Sequence, residues 1–377
     1  MRVLTDILLI ITTWIYPFKK NQALFVFKNN SRSSGNAMAL FNYINDEYEN
    51  DEKRLTSVIA TDDDSFINYL KSNNKSFCRI PSLKFIKVVA TSKYLICDGS
   101  PLIIKYGIFS KIVNMKIVYL WHGTGFKNIK LLANDTKENS ASFNHKLLNK
   151  SASMILSSSI DDQIRKIKSF NNNNVFITGN PKNDTLLRTK YEPIDEYISY
   201  NKILLYVPTY RDNGNWEPFT EDYLNKLNKM LLSKNMLFII KKHVNDTCEY
   251  LKEEYSNIKD ITEMKIDNNR LLVLSDVMIS DYSSIVTDYV LLDKPVIFYI
   301  PDYKNYTQIS RSLYYDIFDI YPRSIAYTDE QLYALLEDTS WFNDHDYRNK
   351  YNDFKSLFHQ YTDANSCKRV VEVMTQL

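Results

Sequence analysis

ISDYSSIVTDYVLLDKPVIFY, residues 279 to 299, carries a complete structural unit. An apolar run ends in a polar turn, Asp281 to Ser284. Apolar positions then resume at helical spacing, and a second β-rich run follows Lys294 and Pro295. Strand, turn, amphipathic helix and strand in that order is the repeat of a doubly wound α/β sheet. The same alternation extends upstream through ILLYVPTY (203 to 210), MLFIIKKH (236 to 243) and DVMISDYSS (276 to 284).

An earlier block has the same grammar. ALFVF (23 to 27), LTSVIAT (55 to 61), KYLICDG (93 to 99), KIVYLWHG (116 to 123), SMILSSS (153 to 159) and NVFITGNP (174 to 181) read as strands. AMALFNYINDE (37 to 47) and SFINYLKSN (65 to 73) between them have helical spacing. The polar stretch RTKYEPIDEYISYNK (188 to 202) separates the blocks. The expected architecture is therefore α/β, with two Rossmann-like domains, at 23–187 and 188–363, facing across a cleft. A C-terminal helix at 364–377 is placed so that it can pack back across the hinge.

Composition limits the function classes. The chain has 377 residues, 44% of them apolar, enough for two substantial cores. A net charge of +2 spread along the chain leaves no global electrostatic footprint for nucleic acid. Cys78, Cys97, Cys248 and Cys367 lack zinc-site spacing and disulfide density, which fits reduced cytosolic thiols. The five histidines show no HxxxH pattern, and no resident metal or other cofactor is expected. Residues 1–22 contain an uncharged run from Ile7 to Phe18, closed by Lys19 and Lys20. It is shorter than the ~20 residues of a membrane span and fits either a buried helix or an interfacial one with Trp14 and Tyr16 at the headgroups.

Candidate chemistry gathers where strands end, the position at which open α/β sheets bind ligands. The chain has only 7 glycines, against the roughly 26 of average usage, yet Gly123 and Gly125 flank Thr124 directly after His122. An imidazole in such a turn can serve as a general base or merely satisfy the turn. Ser283 and Ser284 can bind phosphate oxygens or cap the helix they begin. Arg211 in YVPTYRDN, and His243 beside Lys241 and Lys242, offer donors to a developing phosphate charge, though each could also be a solvated terminus.

The ordered set YLWHGTGFK, ITGNPKND, YVPTYRDN, KKHV, ISDYSSIVTDYVLLDKPVIFY, PDYKNY with RSLYYD, and DANSCKR resembles the CDP-glycerol glycerophosphotransferase family of teichoic-acid and capsule synthesis. FKNNSRSSGNAMALFNYI (27 to 44) is similar to the family's start, so the likeness covers roughly residues 23 to 375. It implies a metal-independent GT-B fold, with 23–187 as the acceptor-side domain and 188–363 as the CDP-donor-binding domain. The implied reaction transfers glycerol phosphate, or another polyol phosphate such as ribitol phosphate, from a CDP-activated donor to a hydroxyl of a lipid-linked saccharide or growing polymer, releasing CMP.

By motif match, His122 is the base. Arg211, His243, Ser283, Ser284 and Arg311 surround the diphosphate, while Asp281, Asp288, Gly123, Thr124 and Asn180 support the site. The resemblance also implies a peripheral place on the cytoplasmic face of the cell membrane, and a homo-oligomer is compatible with it. The rival readings are a GT-B glycosyltransferase using a nucleotide sugar and a non-catalytic polymer-binding protein at the membrane surface. Three positions depart from the family pattern: Gly125 stands for its usual proline, Ser312 for a glycine and Ala364 for another glycine.

Overall fold

The computed structural model describes residues 11–12, 15–27, 35–47, 55–99, 115–132, 150–211, 216–243, 246–264, 266–309 and 312–377. The chain divides into two compact units. The first takes residues 1–123, 136–185 and 360–377; the second takes 124–135 and 186–359.

In the first unit seven parallel strands lie in the order β3-β2-β1-β4-β5-β6-β7. They are β1 (Lys19–Val26), β2 (Thr56–Thr61), β3 (Phe77–Arg79), β4 (Ser92–Cys97), β5 (Lys116–Tyr119), β6 (Met154–Ser157) and β7 (Val175–Ile177). The helix Ser366–Gln376 closes this unit, with Val370, Val371 and Met374 buried in the same cluster as Phe25, Ile96 and Val118. Asp184 accepts hydrogen bonds from the backbone N–H groups of Ser366 (2.9 Å) and Cys367 (2.7 Å), and so satisfies donors that the first turn of that helix leaves open.

The second unit holds six parallel strands in the order β10-β9-β8-β11-β12-β13. Their ranges are β8 (Lys202–Val207), β9 (Met236–Ile240), β10 (Ile258–Asp260), β11 (Val277–Ser280), β12 (Val296–Tyr299) and β13 (Ile325–Ala326). Both faces of this sheet are covered. Leu205, Leu237 and Ile239 point into one core cluster, while Leu204, Tyr206, Phe238 and Ile240 point into the other. That two-residue period explains the near-continuous apolar runs of the sequence.

Each sheet thus contains the classic Rossmann order 3-2-1-4-5-6, with a switch point where the order reverses, between β1 and β4 in one and between β8 and β11 in the other. Two Rossmann-like α/β domains in succession are the GT-B fold class expected. The strands stop earlier than their apolar runs suggest. β5 ends at Tyr119 and β9 at Ile240, so His122 and His243 stand in the loops beyond them. Residues 124–135, expected in the first domain, group with the second, where Phe126 is fully buried among Tyr321, Phe354 and Phe358.

Candidate functional site

In the first unit the segments that follow β4, β5 and β7 are tied to Asn36 and Ala37 around His122. Trp121 has φ +58, a left-handed conformation that is costly for a bulky residue and is held only when the surroundings impose it. Here its ring is buried edge-on to Tyr119 and Phe170, and its carbonyl accepts from Asn36 Nδ2 at 2.9 Å. His122 follows, exposed, with its ring 4.2 Å from that of Trp121. Gly123 has φ +141, and a Cβ there would stand 3.1 Å from Lys182 Nζ. The backbone N–H of Lys182 in turn donates to Asn36 Oδ1 at 3.1 Å. Asn36 therefore links the loop after β5 to the segment after β7.

Asp98, just past β4, accepts twice from the Ala37 backbone N–H (2.9 and 3.1 Å). Burial pushes its carboxyl up to about 7, while the Ala37 hydrogen bond and the Lys182 charge pull it back in part. Asn180 is 1% exposed, and its side-chain amide has no partner among the described residues. Asn36, Asp98 and Lys182 were not singled out in the sequence. The signals available were Gly35 ahead of Asn36, Gly99 after Asp98, and the place of Lys182 inside ITGNPKND.

In the second unit the site residues meet at the β8/β11 switch point. Asp281, after β11, accepts at Oδ1 from the backbone N–H of Thr209 (2.8 Å) and of Tyr282 (2.6 Å), and Tyr321 Oη donates to its carbonyl at 2.9 Å. Ser283 is half-buried and Ser284 exposed. Ser284 precedes the helix Ile285–Tyr289 with φ −65 and ψ −11, and its side chain makes no capping hydrogen bond, so the capping alternative does not describe it. Within that helix Asp288 is buried, and Thr287 Oγ1 donates to the carbonyl of Thr124 at 2.9 Å. His243 is exposed, its ring 5.9 Å from that of Tyr210.

Three of the candidate donors are engaged within the protein. Arg211 is 5% exposed and hydrogen-bonds through three of its five N–H groups, to Asp302 (Nε 2.7 Å, Nη2 3.1 Å) and to the carbonyl of Thr209, while its Nη1 stands 2.8 Å from Asp281 as an ion pair. Lys241 Nζ is spent on the carbonyls of Ile261, Thr262 and Met264, and Lys242 Nζ on Asp260 and the Cys248 carbonyl. Arg311 lies outside the described residues. Among the described residues no three His, Cys, Asp or Glu side chains cluster as metal ligands would, and no helix is long and apolar enough to cross a membrane.

A family model described as CDP-glycerol:poly(glycerophosphate) glycerophosphotransferase matches residues 8–376. The teichoic acid poly(glycerol phosphate) polymerase of Bacillus spizizenii strain W23 is 28% identical over 94% of this chain and 92% of its own length. The teichoic acid poly(ribitol-phosphate) polymerase of the same strain is 26% identical over 95% of this chain and 56% of its own length. The solved structure of the wall teichoic acid polymerase TagF superposes with a TM-score of 0.76. It covers 100% of this chain and 92% of TagF at 18% identity, a likeness of fold.

Proposed function

The chain belongs to the CDP-glycerol:poly(glycerophosphate) glycerophosphotransferase family, and from that premise we propose a transferase that extends a teichoic-acid-like polymer or primes its lipid-linked carrier. An acceptor hydroxyl attacks the phosphorus that bears the glycerol. The new P–O bond forms as the bond to the bridging oxygen of CMP breaks, and the hydroxyl proton passes to His122. His243, Ser283, Ser284 and Arg311 supply donors to the diphosphate as charge grows on the leaving CMP. Gly123 and Asn180 in the first unit, and Thr124 and Asp288 in the second, have supporting roles. The reading needs no metal ion.

The observation that carries it is His122 itself, set beyond β5 by a strained Trp121 and held through Asn36, inside a chain matched to the family over residues 8–376. A base that must meet a substrate proton gains from such fixed geometry. Glycerol is favoured over ribitol as the transferred polyol, because the relative matched over most of its length is a glycerol-phosphate polymerase.

We place the enzyme peripherally on the cytoplasmic membrane face. Ile11, Ile15, Tyr16 and Phe18 are exposed, and Lys87 Nζ stands 4.0 Å over the Tyr16 ring, an apolar and basic combination suited to anionic lipid. Co-sedimentation with anionic vesicles, weakened in an Ile15→Glu/Phe18→Glu variant, checks that placement. The central experiment offers purified protein CDP-glycerol, CDP-ribitol and UDP-sugars with lipid-linked acceptors, with and without EDTA. CMP release from CDP-glycerol, undiminished by EDTA, is expected. Release of UDP alone would overturn the reading, and activity restored only by Mg²⁺ would overturn its metal-free step.

A further inference from the structure

Arg211 occupies an unusual setting for a residue meant to meet an anion. Its guanidinium forms a two-bond fork with Asp302 and a third ion-pair contact with Asp281, so one positive charge faces two negative ones. It is walled by aromatic rings, with Trp216 at 4.6 Å and Tyr306 at 4.9 Å from its centre. The pairing reaches across the switch point, since Arg211 follows β8, Asp281 follows β11 and Asp302 follows β12. Tyr282, next to Asp281, stacks on Tyr306 at 3.9 Å with 11° between the planes. The turn leading to Ser283 and Ser284 is thus pinned by charge on one side and by a ring stack on the other. A donor set built for a diphosphate would carry net positive charge; this trio of one guanidinium and two carboxylates does not.

We propose that Arg211 and Asp302 are positioning residues, a charge-paired strut across the β8/β11 switch point that holds the Asp281–Ser284 turn in register for the donor's phosphates, neither side chain touching the transferred group. This rests on the proposed CDP-glycerol reaction. The strut and a direct phosphate contact predict opposite signs for one substitution. If Arg211 bound phosphate, removing the negative charge of Asp302 would strengthen donor binding. If the two form a strut, the same change loosens the turn and weakens it.

The test measures CMP release against CDP-glycerol concentration for the full-length wild type, Arg211→Lys, Arg211→Ala, Asp302→Asn and the Arg211→Ala/Asp302→Asn double variant. Amide hydrogen exchange over residues 281–287 is followed in each. Asp302→Asn is expected to raise KM for CDP-glycerol about 10-fold while kcat changes less than about threefold, with the double variant no worse than Arg211→Ala and Arg211→Lys recovering part of the loss. Donor use equal to or better than wild type in Asp302→Asn, or losses that multiply in the double variant, would overturn the strut. Should Arg211→Ala not fold, the near-isosteric Asp302→Asn carries the test alone. If wild type releases no CMP from any CDP-polyol, the proposed reaction fails, and the strut is then judged by exchange: faster at 281–287 in Asp302→Asn supports it, unchanged exchange refutes it.

Discussion

Gly125 lies so close to Ser284 that a Cβ on it would stand 2.9 Å from the Ser284 Cβ and 3.6 Å from its Cα. The segment after His122 and the serine turn after β11 are therefore fitted to each other through a missing side chain. Because the obstacle is a Cβ beside backbone rather than the end of a flexible chain, Gly125→Ala must displace the turn. A cost of about 1–3 kcal/mol in stability is expected, as for other overpacked sites. A rise in KM for the CDP donor should accompany it. Thermal melting and donor kinetics check both, and an alanine variant with unchanged KM would separate the contact from donor binding.

His122→Ala should lower kcat by at least about 10²-fold, the usual loss on removing a general base, with little change in CDP-glycerol affinity. Single-turnover kinetics and donor titration read the two effects separately. Near-normal turnover would return His122 to the role of a turn residue.

Asp98 makes stability depend on pH. Burial holds its carboxyl at about 7, above the value near 4 of an unfolded chain, so between those limits the folded protein binds the proton that the unfolded chain releases. This contribution is complete below pH ~4 and is lost as pH climbs to ~7. Melting of wild type should therefore fall relative to Asp98→Asn across that window and run parallel to it above. Parallel curves throughout would mean that Asp98 titrates normally.

Ala364 has φ +53, a region that costs a residue with a Cβ about 1–2 kcal/mol and glycine almost nothing. It is the position where the resembling family carries glycine. Ala364→Gly should raise stability by about 0.5–1 kcal/mol, the unfolded chain's extra freedom offsetting part of the relief. Chemical denaturation measures it, and a loss of stability would show that the backbone there is not strained.

The alternation of apolar runs determined two doubly wound α/β domains, because a strand covered on both faces and a one-sided helix leave different periods in the sequence. The same runs put His122, His243 and the Asp281–Ser284 turn at strand ends, although β5 and β9 stop before their histidines. Three short edge strands, Phe77–Arg79, Ile258–Asp260 and Ile325–Ala326, were missed, since two or three residues are too few to show a period.

Only the tertiary structure decided what the charges do. Arg211 pairs with Asp302, 91 residues away, and Asn36 donates to Trp121, 85 residues away. Lys241 spends its ammonium group on the carbonyls after β10, and Lys242 on Asp260 and the Cys248 carbonyl. An arginine in a motif looks the same in sequence whether it faces water, phosphate or two carboxylates. Its role follows from the distances and burial that the fold imposes on residues far apart in the chain, and periodicity does not encode these.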